Sequence, residues 1–351
     1  MRTAFCALLL LCLTSPAFAD ENLIGFKTVT LPDVENQRAL QLAVWYPATT
    51  TTTATTAKPE LIADNAVFIG ALAVPDAPPT AGEHPLVVLS HGYGGNWRNQ
   101  VWLASALAHQ GYIVAAVNHP GTTSKDRSPA AAAQLWQRPK DLSRAIDAVL
   151  AQPTQFGTVK HNQIAAVGHS LGGWTVLEIA GARFDPDLFN RDCNVHPKLG
   201  GCIGYRQMNP AGTPSGKVQL AADLSDKRIT AIVSLDLGLS RGFTHASLAV
   251  LPVPALVIAG GVPSEEMDPN LESAALVKRL PKASTQYVEI ADATHFSFMA
   301  ICKPGGMALI EADSPGDGMI CRDGEGARPR AVIQQQVVGL ISEFLERSFR
   351  H

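Results

Sequence analysis

The sequence predicts a protein of the α/β class, with a mostly parallel central sheet flanked by helices. From Pro85 onward, short apolar runs that suit buried strands alternate with segments of helical spacing, and this alternation is typical of parallel sheets. One such run, residues 164–167, ends directly in the pentapeptide GHSLG, and a helix-forming segment follows at once. The length of 351 residues and the 46% hydrophobic content are sufficient for a large core.

The net charge indicates which partners to exclude. The chain has 28 Lys and Arg residues against 31 Asp and Glu, a formal charge of −3 at pH 7. A near-neutral balance does not favour nucleic acid or an anionic membrane surface as a partner. Beyond the N-terminus, no apolar run approaches the ~20 residues that span a bilayer. We therefore expect neither nucleic-acid binding nor stable membrane insertion.

The first residues have the pattern of a secretory signal peptide. Arg2 supplies a positive charge, residues 4–13 form a short apolar stretch, and Ala17-Phe18-Ala19 resembles an A-x-A cleavage site. We predict a signal peptide over residues 1–19, cleaved after Ala19, and export to the periplasm or the medium. Residues 20–351 would then form a single domain.

Export decides how the cysteines are interpreted. Cys6 and Cys12 leave with the signal peptide, so four cysteines remain, and four allow three disulfide connectivities. In an oxidising compartment the sequence-local pairs Cys193–Cys202 and Cys302–Cys321 are favoured, each stabilising the fold by about 2–4 kcal/mol. No Cys or His spacing typical of a metal site is present, and no metal or organic cofactor is expected.

The N-terminal part of the mature chain predicts a hairpin. Two extended runs, residues 26–33 and 39–47, flank a polar turn and indicate an antiparallel hairpin at the edge of the sheet. A Thr- and Ala-rich tract at residues 49–57 and a Pro-rich stretch as far as Pro85 follow. We expect these to form a surface excursion with little regular structure.

The next strand leads into a glycine-rich loop. Residues 85–90 are apolar and run into His91-Gly92-Tyr93-Gly94-Gly95. Such a loop, upstream of a GHSLG-type turn, can offer a backbone N–H to an oxyanion. We predict that Tyr93 supplies this donor and that His91 is structural.

The remaining elements follow in alternation up to the C-terminus. The segment of residues 183–226 lacks a clear pattern; it is either an insertion that forms a cap and substrate wall, or a structural loop held by the Cys193–Cys202 bridge. The predicted helices are residues 97–110, 138–151, a helix that ends near Leu280, and 331–349; the predicted strands are residues 112–120, 229–235, 253–260 and 284–291.

The GHSLG pentapeptide, residues 168–172, predicts a nucleophile elbow. A serine at a very tight turn from strand to helix has a strained backbone, and only glycine fits two positions to either side. This turn lifts the Ser170 hydroxyl out of the sheet edge. It also places the Leu171 N–H at a helix N-terminus, where it can stabilise an oxyanion.

The chain order of Ser170, an acid and His295 completes a predicted catalytic triad. Serine is a poor nucleophile at neutral pH, so an imidazole must take its proton and a carboxylate must orient that imidazole. Asp236 directly follows a buried strand and is our preferred acid. The alternatives lie after the next strand: Glu265, Glu266 and Asp268. The order serine, acid, histidine is the one expected of the α/β-hydrolase fold.

Four segments carry a resemblance to a known family. The elbow GHSLGGWT, the loop SHGYGG, the strand end IVSLD and the segment ATHFSF resemble exported bacterial dienelactone-hydrolase-like proteins related to platelet-activating-factor acetylhydrolase. The resemblance covers most of the mature chain and implies ester hydrolysis. In the acetylhydrolases the acid follows the strand after the elbow helix, which corresponds to Asp236. True dienelactone hydrolases have a cysteine nucleophile, whereas this chain has Ser170.

Two classes of function are compatible with these features. The first is a serine carboxylic-ester hydrolase acting through an acyl-enzyme on a small or lipid-like ester, such as a short acyl ester, an acetylated phospholipid or a synthetic polyester. The second is a non-catalytic binding protein on a hydrolase scaffold. A thioesterase or a peptidase would use the same triad. The sequence does not indicate an oligomeric state.

Overall fold

The computed structural model describes residues 23–32, 38–49 and 58–350. The predicted signal peptide lies outside the described residues. So do most of the Thr- and Ala-rich tract and most of the predicted hairpin turn.

The described strands join in a single sheet. Its spatial order is β10-β9-β8-β7-β5-β6-β2-β1-β4-β3. The strands are β1 (Leu23–Leu31), β2 (Leu40–Ala48), β3 (Glu60–Ile62), β4 (Ala71–Pro75), β5 (Glu83–Ser90), β6 (Ile113–Asn118), β7 (Thr158–His169), β8 (Ala231–Leu235), β9 (Ala255–Gly260) and β10 (Thr285–Ile290).

From β5 onward helices alternate with the strands, and two helices follow the last described strand. The helices in the described residues are α1 (Val101–His109), α2 (Pro129–Ala132), α3 (Gln137–Leu150), α4 (Pro153–Phe156), α5 (Leu171–Ile179), α6 (Pro186–Val195), α7 (Gly200–Met208), α8 (Pro214–Leu220), α9 (His245–Leu248), α10 (Ser273–Val277), α11 (Gly306–Asp313) and α12 (Arg330–Ser348).

The centre of the sheet is parallel, which confirms the predicted fold class. Strands β6, β5, β7, β8, β9 and β10 pair in parallel, and β2 joins β6 in antiparallel orientation. In register, Ser90 is opposite Gly168, which in turn is opposite Ser234. The carboxyl ends of β5, β7 and β8 therefore meet at one edge, where loops of parallel sheets carry functional groups.

Side chains of alternate strand residues form a core on each face of the sheet. Val88 of β5 packs in the cluster that contains Leu142 of α3 and Trp174 of α5. Val87, its neighbour, packs in the other cluster, with residues of α1 and α12. Because both faces are covered, the central strands contain continuous buried apolar runs, residues 86–89 in β5 and 164–167 in β7, instead of alternating with polar residues.

The hairpin forms as predicted, but its position and the segment after it were predicted wrongly. Strands β1 and β2 pair antiparallel along their whole length. However, β4 pairs with β1 in parallel at Gly25 and Phe26, and β3 pairs with β4, so the hairpin is not at the edge. Burial of Ala73 and Val74 against the hairpin explains why this Pro-rich stretch is ordered, since an uncovered β1 would leave a row of unpaired backbone groups.

The segment of residues 183–226 is helical, containing α6, α7 and α8. Phe189 of α6 and Tyr205 of α7 stack against Phe184 at ring-centroid distances of 5.3 and 6.0 Å, and this aromatic cluster holds the segment on the sheet. The two predicted disulfides are both present. They join Cys193 to Cys202 and Cys302 to Cys321, 9 and 19 residues apart in sequence.

Across the described residues, no helix combines the length and apolar character needed to cross a membrane.

Candidate active site

The predicted elbow is a strained turn that only glycine neighbours allow. Ser170 joins β7 to α5 at φ 56° and ψ −120°, a region that residues with a side chain rarely occupy. A Cβ atom at Gly168 would lie 2.0 Å from the Gly172 carbonyl oxygen, and one at Gly172 would lie 1.9 Å from the Ser90 carbonyl oxygen. The glycines of GHSLG are therefore required by the close approach of two backbone segments.

Ser170, His295 and Asp236 form a continuous hydrogen-bonded chain. The Nε2 atom of His295 lies 3.0 Å from Oγ of Ser170, and its Nδ1 atom lies 2.6 Å from Oδ2 of Asp236. The His295 side chain is 17% exposed, whereas that of Asp236 is 2% exposed. The Ser170 end of this hydrogen-bonded chain therefore faces a cavity in the protein surface, whereas Asp236 at the other end is buried.

Backbone groups hold the acid and the imidazole in place. Asp236 directly follows β8, and its Oδ1 atom accepts from the N–H of Gly260 at 3.0 Å. Nε2–H of His169 donates to the His295 carbonyl oxygen at 2.9 Å. Burial, together with the nearby His295, holds the pKa of His169 well below its usual value, so the His169 ring is neutral at physiological pH.

The alternative acids lie elsewhere. Glu265 forms an ion pair with Lys198, and the carboxylate of Asp268 accepts from the backbone N–H of Asn270 at 2.8 Å. Glu266 lines the cavity next to Ser170. Within the described residues, the carboxylate that is hydrogen-bonded to His295 Nδ1 belongs to Asp236 and not to Glu266. The carboxylate that the structure brings against His295 is that of Asp236.

The two predicted oxyanion donors flank Ser170. Tyr93 and Leu171 both line the cavity that contains the serine. Leu171 is the first residue of α5, where an N–H has no intrahelical acceptor. A Cβ atom at Gly92 would lie 3.0 Å from Cβ of Ser170, so glycine there lets the Tyr93 loop approach the serine closely.

Two cavities open on either side of Ser170. The larger has a volume of about 190 Å³, and the smaller, beside the Tyr93 loop, about 70 Å³. The larger one is enclosed partly by α7, which presents three glycines and Met208. The segment of residues 183–226 therefore forms part of the cavity wall, which is one of its two predicted roles. Further apolar walls come from Met267, Phe296 and Met319.

A buried polar network beneath the Tyr93 loop was not predicted. Ser90 Oγ lies 2.9 Å from His119 Nε2, and His119 Nδ1 lies 2.9 Å from Asp141. Arg138 donates to Ser90 Oγ at 3.2 Å. The sequence contains one indirect signal for this network, the charged residues Arg138 and Asp141 near the start of a helix that otherwise packs in the core.

One group of metal-ligand side chains occurs in the described part of the chain, Asp192 with Cys193 and Cys202. Both sulfur atoms belong to a disulfide, so neither can act as the thiolate ligand of a metal.

Comparison with known proteins identifies the family. Residues 87–300 match the model of the Alpha/beta hydrolase family. The chain belongs to this family. This match confirms the α/β-hydrolase fold predicted from the sequence.

Individual relatives are distant. Cutinase est1 of Thermobifida alba is 29% identical over 29% of this chain and 31% of its own length. Platelet-activating factor acetylhydrolase of Cavia porcellus is 26% identical over 38% of this chain and 43% of its own length. The chain thus aligns with less than half of the length of these curated relatives.

A solved structure extends the likeness of the fold over nearly the whole chain. The ferulic acid esterase from Streptomyces cinnamoneus superposes with a TM-score of 0.63 at 20% sequence identity, covering 95% of this α/β hydrolase and 92% of that chain. At this level of sequence identity the likeness is one of fold.

Proposed function

We propose that this α/β hydrolase is a serine carboxylic-ester hydrolase in which Ser170 is the nucleophile, His295 the general base and Asp236 the residue that orients the imidazole. The observation that carries the proposal is the hydrogen-bonded chain from Asp236 through His295 to Ser170, with the serine at the junction of two cavities. Geometry of this kind is what nucleophilic catalysis by serine requires.

The reaction has two half-reactions. His295 Nε2 takes the proton of Ser170 as Oγ bonds to the ester carbonyl carbon, and the N–H groups of Tyr93 and Leu171 stabilise the resulting oxyanion. Collapse of this intermediate breaks the bond to the alcohol, which leaves with the proton from His295. Water then attacks the acyl-enzyme with the help of the same base, and the carboxylic acid and free Ser170 are released.

The cavity volumes indicate the size of the substrate. An apolar cavity of about 150 Å³ holds a benzene molecule, so the larger cavity, at about 190 Å³, suits a group of roughly six to eight non-hydrogen atoms. Met208, Met267 and Met319 line it, and methionine adapts to irregular apolar shapes. We therefore expect preference for esters with one apolar group of medium size.

The relatives favour an ester over an amide or a thioester. The similar proteins are named as a cutinase, an acetylhydrolase and a ferulic acid esterase. The two disulfides suit an oxidising compartment, which supports the export that the A-x-A motif predicts.

Hydrolysis of a series of p-nitrophenyl esters with acyl chains of two to twelve carbons tests the proposal. We expect turnover that is highest for chains of about four to eight carbons and is lost in Ser170→Ala. Ser342→Ala, on the outer helix α12, is the matched control and should retain wild-type activity. Wild-type protein that neither hydrolyses any ester nor reacts with a fluorophosphonate probe would overturn the proposal and favour a binding protein on a hydrolase scaffold.

A further inference from the structure

The buried guanidinium of Arg138 lies between the two segments that carry the proposed oxyanion donors. Arg138 is in the first turn of α3 and is 1% exposed. Its three nitrogen atoms all donate hydrogen bonds, and their four acceptors belong to three separate parts of the chain: residues 90–91, Thr122 and Thr175.

One side of the guanidinium holds the Tyr93 loop. Its Nη2 atom donates to the carbonyl oxygen of His91, two residues before Tyr93. Its Nη1 atom donates to Oγ1 of Thr122 at 2.6 Å. The Thr122 carbonyl oxygen in turn accepts from the N–H of Gly94 at 2.9 Å. The backbone is therefore held on both sides of Tyr93.

The other side of the guanidinium holds the start of the elbow helix. Nε of Arg138 donates to Oγ1 of Thr175 at 2.9 Å. The Thr175 hydroxyl donates to the carbonyl oxygen of Leu171 at 3.0 Å. Leu171 is the second proposed oxyanion donor, so one planar group is connected to both donors.

We propose that Arg138 is a positioning residue that sets the separation of the Tyr93 and Leu171 N–H groups. This inference rests on the proposed function, because it concerns the same oxyanion hole. Sites of this kind must hold their donors within about 0.5 Å of the productive geometry. The guanidinium is rigid and directs its N–H groups in fixed directions, which a flexible or apolar side chain cannot do.

Arg138 keeps its charge at neutral pH although its burial opposes it. Asp141, one turn along α3, accepts from Arg38 at 2.5 Å and from His119 at 2.9 Å. Burial lowers the pKa of Arg138 to about 9, and the charge of Asp141 opposes this effect. Arg138 therefore remains protonated at neutral pH. A buried cation without such compensation would be strongly unfavourable.

The serine, histidine and aspartate of this network do not form a second reaction centre. Ser90, His119 and Asp141 are each 1% exposed or less, so no ester can reach Ser90. The Ser90 hydroxyl accepts from Arg138 and lies against His119. The network instead supports the end of β5, from which the Tyr93 loop begins.

Kinetics of Arg138→Met and Arg138→Lys test the inference, with Leu142→Ala as the control. Leu142 is buried in the same helix but does not take part in the hydrogen bonds that connect the Tyr93 and Leu171 segments. Its truncation to alanine therefore weakens packing alone. For each variant we would measure kcat and KM for p-nitrophenyl butyrate, the affinity for a trifluoromethyl ketone that mimics the tetrahedral oxyanion, and the melting temperature.

A positioning role predicts a loss that is specific to the transition state. We expect kcat of Arg138→Met to fall by about 10²-fold, in the range seen when one oxyanion donor is removed, with KM within about threefold. Affinity for the ketone should fall in the same proportion. Arg138→Lys, which keeps the charge but not the fork, should remain impaired. Leu142→Ala should lower the melting temperature and leave kcat and ketone affinity unchanged.

If Arg138→Met does not fold, the variant Thr175→Val tests the same inference. It removes the connecting hydroxyl with little change in volume, and we expect kcat to fall by about tenfold. Wild-type values of kcat and ketone affinity in the folded Arg138 or Thr175 variant would overturn the positioning role while leaving the proposed function intact. If wild type hydrolyses none of the p-nitrophenyl esters and does not react with the fluorophosphonate probe, the proposed function fails, and the inference fails with it.

Discussion

The substitution Asp236→Asn tests the proposed triad most directly, because the structure defines what the amide must do. Both oxygens of Asp236 accept hydrogen bonds, Oδ2 from His295 Nδ1 at 2.6 Å and Oδ1 from the Gly260 N–H at 3.0 Å. An amide has one acceptor atom and one donor group, so it cannot accept at both positions.

Each orientation of the amide is unfavourable, but in a different way. If its NH₂ group faces Gly260, two N–H donors oppose each other in a buried site, at a cost of about 1–3 kcal/mol. If it faces His295, Nδ1 must become the acceptor and the proton moves to Nε2. The imidazole then cannot accept the proton of Ser170. The second orientation is the more stable one, and it disables the base.

We expect kcat of Asp236→Asn to fall by about 10⁴-fold, the loss typical of a triad held in the wrong tautomer, which corresponds to about 5.5 kcal/mol in the activation barrier. KM should change little, since Asp236 is buried behind the imidazole. Steady-state kinetics with p-nitrophenyl butyrate would measure both, with Asp268→Asn and Glu265→Gln as controls at the alternative acids. A loss below about tenfold in Asp236→Asn, or an equal loss in either control, would refute the assignment.

Two further predictions concern stability. Replacing Cys193 and Cys202 by alanine should lower the free energy of unfolding by about 2.6 kcal/mol, and replacing Cys302 and Cys321 should lower it by about 3.2 kcal/mol, because the second bridge closes the longer loop. Thermal unfolding should show decreases in melting temperature of about 4 and 5 °C. Equal or absent decreases would contradict the loop-entropy reasoning. Burial raises the pKa of Glu178 well above its usual value, with the charge of Arg183 opposing the shift. The folded state therefore binds more protons than the unfolded state above pH ~4.5, and wild-type stability falls as pH rises toward the folded pKa. The melting temperature of Glu178→Gln relative to wild type should increase between about pH 5 and pH 8, and a constant difference would show that Glu178 is ionised in the folded protein.

Local sequence was sufficient for much of the fold. The GHSLG turn was predictable because its strain and the close approach of Gly168 to Gly172 depend on residues within two positions of Ser170. The two disulfide pairs were predictable because 9 and 19 residues separate their cysteines, and in an exported chain nearby cysteines are the favoured partners. The strand and helix alternation followed from hydrophobic periodicity, which is also a local property.

Other features depended on contacts between distant segments. The addition of β4 to β1 brings Val74 beside Gly25, and no periodic pattern in the Pro-rich stretch indicated it. The sequence left open which of four carboxylates orients His295. Asp236 follows β8, and the three alternatives follow β9, so all four lie beyond the carboxyl ends of neighbouring parallel strands. The register of β8 beside β7 and β9 is what brings Asp236 against His295.

The sequence by itself therefore determined the class of fold and the strained turn at Ser170, because backbone strain and hydrophobic period are encoded within a few residues. The tertiary structure alone decided which acid meets His295 and which group connects the two segments that carry the proposed oxyanion donors. Arg138 contacts residues from His91 to Thr175, a separation over which residue types carry no information about proximity. Such contacts exist only when the parallel strands align their carboxyl ends at one edge of the sheet.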